Sequence, residues 1–182
     1  MTRLVFSFLF LFLLTQASAQ LNGNYTIGGT VPSFANFTAA AVALSTQGIS
    51  GNVNFNVRPG IYTERFIINQ IPGSNTNRTV TFQAENGDSS SVLLYSASAT
   101  SSTNYLIWLQ NVGQVTLKKL SFQTPAMGDY SIAISLFNAP NVRLEKCHLT
   151  GSLNPESLYE NRRVLVAIGG TCPNFVASNC RF

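Results

Sequence analysis

One stretch of this chain recurs, and the recurrence restricts what the chain can fold into more than any other feature. Val115-Thr-Leu117-Lys-Lys-Leu120-Ser-Phe122 aligns with Val142-Arg-Leu144-Glu-Lys-Cys147-His-Leu149, each apolar position displaced by 27 residues (142 − 115, 149 − 122). A third copy, Phe175-Val-Ala-Ser-Asn-Cys180-Arg-Phe182, follows 33 residues later (180 − 147, 182 − 149). A matching apolar strand and turn precede each copy, at Leu106–Asn111, Ile132–Asn138 and Val164–Gly169. Upstream, Val53-Asn-Phe55-Asn-Val57 and Val80-Thr-Phe82 stand 27 apart (80 − 53) and read as the opening coils. A period in the high twenties, with two or three short strands per repeat, predicts the coils of a parallel β-helix. One coil cannot bury its own inward side chains, so the coils must stack like on like. Leu120 then lies against Cys147, and Cys147 against Cys180.

Ahead of the repeats, Asn24-Tyr-Thr-Ile-Gly28-Gly29 predicts a short strand closed by a glycine turn. A single helix follows, with Ser33 as its N-cap and Phe34, Phe37, Ala41 and Leu44 at helical spacing. The alanines between Ala39 and Ala43 favour it, and Gly48 ends it. An open β-helix end exposes unpaired backbone and apolar core, so this amphipathic segment is expected to cap the solenoid. From Gly51 onward apolar residues alternate with polar ones, the signature of β structure.

The N-terminus carries an export signal: Arg3, then an apolar run from Leu4 to Leu14 broken only by Ser7, then Ala17-Ser18-Ala19. Eleven residues fall short of the roughly 20 needed to cross a bilayer, and cleavage is expected before Gln20. The expected organisation is a signal peptide over 1–19, a strand and capping helix over 20–50, and β-helix coils over 51–182. No later segment has the length and apolarity of a membrane span, and a secreted or cell-surface location follows. Phe182 falls on an inward position with nothing polar after it, which suggests that the coils continue in a longer protein.

Charged residues make up only 10% of the chain, against about 25% in ordinary soluble domains. Ser, Thr, Asn and Gly take their place. The net charge of +4 is scattered, with Lys118-Lys119 and Arg162-Arg163 the adjacent pairs. Nucleic-acid binding, which needs clustered Lys and Arg, is excluded as a class. Cys147, Cys172 and Cys180 are too few and too far apart for a disulfide scaffold. With one histidine, His148, they also do not make a metal site. No cofactor motif is present. Cys147 and Cys180 read as inward-facing free thiols in preference to the alternative, a Cys147–Cys180 disulfide, since stacked neighbours lie side by side rather than facing. Asn24, Asn36 and Asn77 open N-glycosylation triplets, but Asn and Thr are frequent enough here for chance matches.

The pattern Asn111-x-x-x-Val115-x-Leu117-x-x-x-x-Phe122 resembles the repeat of the pectin-lyase-like superfamily. That resemblance extends from about Asn22 to Phe182 and implies a right-handed coil. The stretch Tyr25-Thr-Ile-Gly-Gly, Phe34 to Ala43, then Val53-x-Phe-x-Val-x-Pro59-Gly60-x-Tyr62-x-Glu64 resembles the opening of large exported β-helix proteins of Bacteroidetes-type bacteria. Such proteins often end in a sorting domain, which has no counterpart here. Pro59-Gly60-x-Tyr62-x-Glu64 also resembles an early coil of pectin methylesterases, a segment near the cap and away from the catalytic centre. The resemblance therefore carries fold and not activity.

No catalytic constellation emerges. The seven carboxylates after the signal (Glu64, Glu85, Asp88, Asp129, Glu145, Glu156 and Glu160) form no Asp-Asp or Asp-x-Asp run of the kind that acid/base work or Ca²⁺ ligation on a sugar would use. Glu85-Asn-Gly-Asp88 reads as a turn. The segment Ser152–Arg163 lengthens its coil and carries Tyr159, Glu160, Arg162 and Arg163, a set suited to a sugar or a carboxylate, or else to a solvated loop. Tyr95, Tyr105, Trp108 and Tyr130 are candidates for stacking on sugar rings, with Trp108 able to face either the core or the surface. Three functions remain open. They are a non-catalytic module binding polysaccharide or a cell-surface partner, the first part of a polysaccharide lyase, hydrolase or esterase with catalytic coils beyond Phe182, and a structural stalk.

Overall fold

A computed structural model describes residues 19–125, 130–151 and 164–182. The strands are β1 (Leu21–Ile27), β2 (Ile49–Val57), β3 (Gly60–Thr63), β4 (Phe66–Ile68), β5 (Val80–Ala84), β6 (Val92–Tyr95) and β7 (Ile107–Gln110). They continue with β8 (Val115–Lys118), β9 (Ser121–Gln123), β10 (Ile134–Phe137), β11 (Arg143–Glu145), β12 (His148–Thr150), β13 (Val166–Gly169) and β14 (Val176–Ser178). One α-helix, α1 (Phe37–Gln47), sits between β1 and β2. Every strand-to-strand ladder is parallel, and from β2 onward the strands visit three sheets in strict rotation, β1 pairing beside β2 in the first. The sheets run β1-β2-β5-β8-β11-β14, β3-β6-β9-β12 and β4-β7-β10-β13. The chain is thus a parallel β-solenoid of about five turns.

The register follows the repeat read from the sequence. Leu117 pairs with Leu144, 27 residues on, and Leu144 with Ala177, 33 on (144 − 117, 177 − 144). Val53, Phe55 and Val57 pair with Val80, Phe82 and Ala84. The step from β5 to β8 is longer, with Phe82 opposite Leu117 (117 − 82 = 35). The core is a set of columns of like residues, including Val53, Val80 and Val115, all fully buried. Phe55 stacks on Phe82 with ring centroids 4.7 Å apart and planes 21° from parallel. Leu120 and Cys147 are buried, while Cys180 packs partly buried against the same core. All three cysteines are free thiols. Phe182 follows the bridge between His148 and Arg181 and is 68% exposed.

The corners between sheets also repeat, in a way the apolar pattern does not show. Non-glycine residues take left-handed backbone at Asn111 and Asn138, with Gly170 after them. A second column is Gln114, Asn141 and Asn174, and a third is Lys119, Lys146 and Asn179. Asparagine tolerates this conformation, and its amides bond along the stack. The Asn138 Nδ2 group donates to Asn111 Oδ1 at 3.1 Å, and Asn174 Nδ2 donates to Asn141 Oδ1 at 2.9 Å. At Gly170 a side chain would collide with Asn138 Oδ1, 2.2 Å from an ideal Cβ.

The helix begins three residues later than its sequence pattern suggests. Asn36, not Ser33, is the N-cap, its Oδ1 accepting the Ala39 N–H at 2.8 Å. Ser33 is diverted into a short pairing alongside the end of β1. Its N–H donates to Thr26 Oγ1 at 2.9 Å, its Oγ accepts the Thr26 N–H at 3.1 Å, and Phe34 bridges to Ile27. Gly48, at φ 69°, ends the helix as expected. The helix buries Phe37, Ala40, Ala41, Ala43 and Leu44 against the first coil. Phe37 stacks on Phe66 at 5.4 Å and meets Tyr62 edge-on at 5.1 Å, closing the aromatic column of the core.

Candidate functional site

The Pro59-Gly60-x-Tyr62-x-Glu64 motif turns out to be structural. Both Glu64 carboxylate oxygens face the first turn of α1. Oε1 accepts the Phe37 N–H at 3.0 Å, and Oε2 accepts the Thr38 N–H at 2.9 Å together with the Thr38 hydroxyl. The Tyr62 hydroxyl lies within hydrogen-bond distance of two carbonyls, Arg58 O at 2.8 Å and Ile27 O at 3.1 Å. Burial, and next the Glu64 carboxylate, raise the Tyr62 pKa, which keeps that hydroxyl protonated. Cap helix, β1 and first coil are thereby tied at one point.

The other described carboxylates have similar duties. Glu85 pairs with Arg58 at 3.8 Å, and Glu145 pairs with Lys118 of the neighbouring coil at 3.8 Å. Asp88 caps the short 3₁₀ turn Ser89–Ser91, and the Ser90 N–H and hydroxyl hold its carboxyl below the usual range. As expected, Glu85–Asp88 is a turn, with Gly87 at φ 74°. Among the described residues no group of three or more His, Cys, Asp or Glu could hold a metal ion. Cys147 is buried and His148 exposed, on opposite faces of the chain. Burial pushes the Cys147 thiol up to about 11, and its Sγ–H donates to Leu117 O at 3.3 Å.

The aromatic candidates are more informative. In β7, Ile107 and Leu109 are buried, so Trp108 points outward and is half-buried. The sheet register sets its surroundings: Trp108 lies between Ile67 of β4 and Ser135 of β10, and Ala167 of β13 follows Ser135. The column falls from large to small, so one flank of the indole is left open. Tyr105 covers part of the ring, with centroids 5.5 Å apart at 50°. The wall opposite is the loop between β6 and β7. The Thr100 N–H donates to Thr103 Oγ1 at 3.0 Å, and the Thr103 N–H returns to Thr100 O at 3.1 Å. Arg65 holds the base of the loop through Ser96 Oγ and Ser98 O. The Ile132 N–H donates to Asn104 Oδ1 at 2.9 Å, which ties the loop to the next coil.

The result is a cleft of about 380 Å³ lined by Tyr105, Trp108, Asn104, Ile132 and the serines 101, 102 and 135, with no charged side chain among the described residues that line it. The Trp108 Nε1–H is buried and has no hydrogen-bond partner among the described residues. Of the residues singled out from sequence, Tyr105 and Trp108 come together here. Tyr95 lies on another sheet, in β6. Tyr130 is half-buried, and Tyr159, Glu160, Arg162 and Arg163 fall outside the described residues. Ser135 was legible only through the 27-residue offset that places it beside Trp108. The serines of the loop left no signal beyond a polar stretch. On a different sheet, His148, Arg181, Ser90, Ser121, Gln123 and Thr150 border a polar hollow of about 310 Å³.

No protein-family model, curated protein or solved structure matches this chain. Among the described residues no helix is long and apolar enough to cross a membrane.

Proposed function

We propose that this chain is an exported module of the pectin-lyase-like superfamily that binds polysaccharide, or a glycan of a cell surface, without catalysing its cleavage. The observation that carries the reading is the Tyr105–Trp108 cleft, two aromatic rings beside a wall of hydroxyl and amide groups. Aromatic faces stack on the C–H faces of sugar rings, while hydroxyls and amides meet their polar edges. Each described carboxylate is engaged with a helix end, a turn or a cation, an arrangement that suits a binder better than a hydrolase. The export reading rests on the residues ahead of Gln20, and the superfamily reading on the Asn111–Phe122 pattern.

The test is a panel of neutral and acidic polysaccharides offered to the secreted chain and to Trp108→Ala. Saturable binding without turnover, weakened about 10- to 100-fold by Trp108→Ala, is expected. That range corresponds to roughly 1.4–2.7 kcal/mol, the scale of truncating an aromatic anchor at the centre of a binding site. Substitution of His148 or Arg181 leaves that binding unchanged, since both border the other hollow. Turnover would instead indicate an enzyme, and neither binding nor turnover a stalk.

A further inference from the structure

We infer that the Tyr105–Trp108 cleft selects an uncharged sugar, one of whose hydroxyl oxygens accepts a hydrogen bond from the Trp108 indole N–H. The inference rests on the reading of this cleft as a glycan site and names the class of sugar it takes. Its starting point is an anomaly. A buried N–H that makes no hydrogen bond is costly, and native structures carry few of them. Trp108 Nε1 is one of two such side-chain atoms among the described residues. The other, Arg65 Nε, belongs to the residue that anchors the base of the loop and does not line the cleft.

Nothing about the strand demands the indole. β7 alternates inward Ile107 and Leu109 with outward Trp108, and a phenyl ring at 108 would cover the same face with no orphaned donor. The small neighbours Ser135 and Ala167 leave the ring flank open for a planar partner. A sugar stacked on that flank brings a ring of hydroxyls to the edge of the indole, and the buried N–H meets one of them only if the indole or Tyr105 shifts on binding.

The absence of charge from the lining sets the class. A carboxylate or sulfate entering the cleft would lose water and meet no cation among the described lining residues. Arg65 already donates to Ser96 Oγ and Ser98 O at the base of the loop. Asn104 Oδ1 is likewise committed, accepting the Ile132 N–H. Serine hydroxyls at 101, 102 and 135 can donate or accept, which suits neutral hydroxyls.

Because the sequence contains a single tryptophan, the indole fluorescence and the indole N–H resonance both report on this position alone. The experiment titrates the secreted chain and Trp108→Phe with neutral gluco-, manno- and galacto-oligosaccharides, and with uronate oligosaccharides of the same length. Phenylalanine keeps a ring for stacking, deletes the donor and shortens the aromatic face, so the shift of the indole N–H resonance in the wild type is what separates the hydrogen bond from lost contact area. The expected result has three parts. The wild type binds a neutral oligosaccharide at least tenfold more tightly than any uronate. Its indole N–H resonance shifts on binding. Trp108→Phe binds that oligosaccharide about tenfold more weakly, as loss of one hydrogen bond implies, while its thermal midpoint does not fall because an unsatisfied donor has been removed.

Equal affinity of Trp108→Phe and wild type, or a preference for uronates, would overturn the inference and leave the glycan-binding reading standing. Failure of the wild type to bind any member of the panel would overturn both.

Discussion

Replacing Glu64 by alanine removes three hydrogen bonds in one step: those from the Phe37 and Thr38 N–H groups and from the Thr38 hydroxyl. The first-turn N–H groups of a helix have no intrahelical acceptors, so each loses its only protein partner. A side-chain acceptor at this position is worth about 1 kcal/mol per bond. The negative charge facing the helix N-terminus adds roughly 0.3–1 kcal/mol. Part of the contact is exposed, which argues against using the larger values for buried charge-assisted bonds. Counting the two amide bonds and the charge, and nothing for the exposed hydroxyl bond, the expected loss for Glu64→Ala is about 2–3 kcal/mol. Glu64→Gln, which keeps one acceptor oxygen and no charge, should lose about half as much. For a chain of this size that is a fall in thermal midpoint of about 4–12 °C, at 2–4 °C per kcal/mol. Solenoids can unfold in segments, so the melt should be paired with amide hydrogen exchange. Protection should fall first at Phe37 and Thr38, while Ala39, whose N–H is held by Asn36, is affected less. The reasoning is refuted if Glu64→Ala shifts stability by less than about 0.5 kcal/mol, within the range of an unremarkable surface change, and leaves the Phe37 and Thr38 amides as protected as before.

Two further outcomes follow from the core and the corners. The Cys147 thiol is raised from 9.0 to about 11, so its protonated form is the one the fold favours. The stability it contributes is fully present below the unfolded thiol's pKa near 9 and lost as pH climbs toward 11. A two-unit shift corresponds to about 2–3 kcal/mol, so between pH 8 and 11 the denaturation midpoint of wild type should drop more steeply than that of Cys147→Ala; parallel curves would contradict this. At the third corner, Lys146 is exposed and held at φ 55°. Lys146→Asn, a residue that accepts left-handed backbone more readily, should raise stability by about 0.5–1 kcal/mol in chemical denaturation, and a loss would show that the lysine makes a contact outweighing its strain.

The solenoid was legible in the sequence because its physics is periodic. Stacked parallel strands place residue i of one coil beside its counterpart in the next, so burying Val115, Leu117 and Leu120 requires Val142, Leu144 and Cys147 to be apolar too. A one-residue slip would turn these positions outward, and the offset of 27 therefore survives as a visible repeat. Ser33 was a harder case. It is as good an N-cap by type as Asn36, and the choice between them depended on whether the backbone at Phe34 paired with β1. The Pro59-Gly60-x-Tyr62-x-Glu64 motif was recognisable as a pattern, but its duty was not. The contact between Glu64 and the helix spans 27 residues (64 − 37) and exists only once the first coil is wound.

The candidate site divides along the same line. Local alternation around Trp108 left it free to face inward or outward, and in the solenoid the register with β4 and β10 stacks Ile107 and Leu109 on buried neighbours. Tyr105 is three residues from Trp108 and could be suspected from sequence. Ser135 and Ile132 reach the cleft only through the stacking of one coil on the next. The sequence by itself determined the repeat, the inward columns and the scarcity of charge, because burial of apolar side chains acts on composition and spacing alone. The tertiary structure alone decided which outward side chains share a cleft, which acid caps the helix and which donor goes unpaired. Those outcomes depend on distances between coils about 30 residues apart, and no local pattern encodes them.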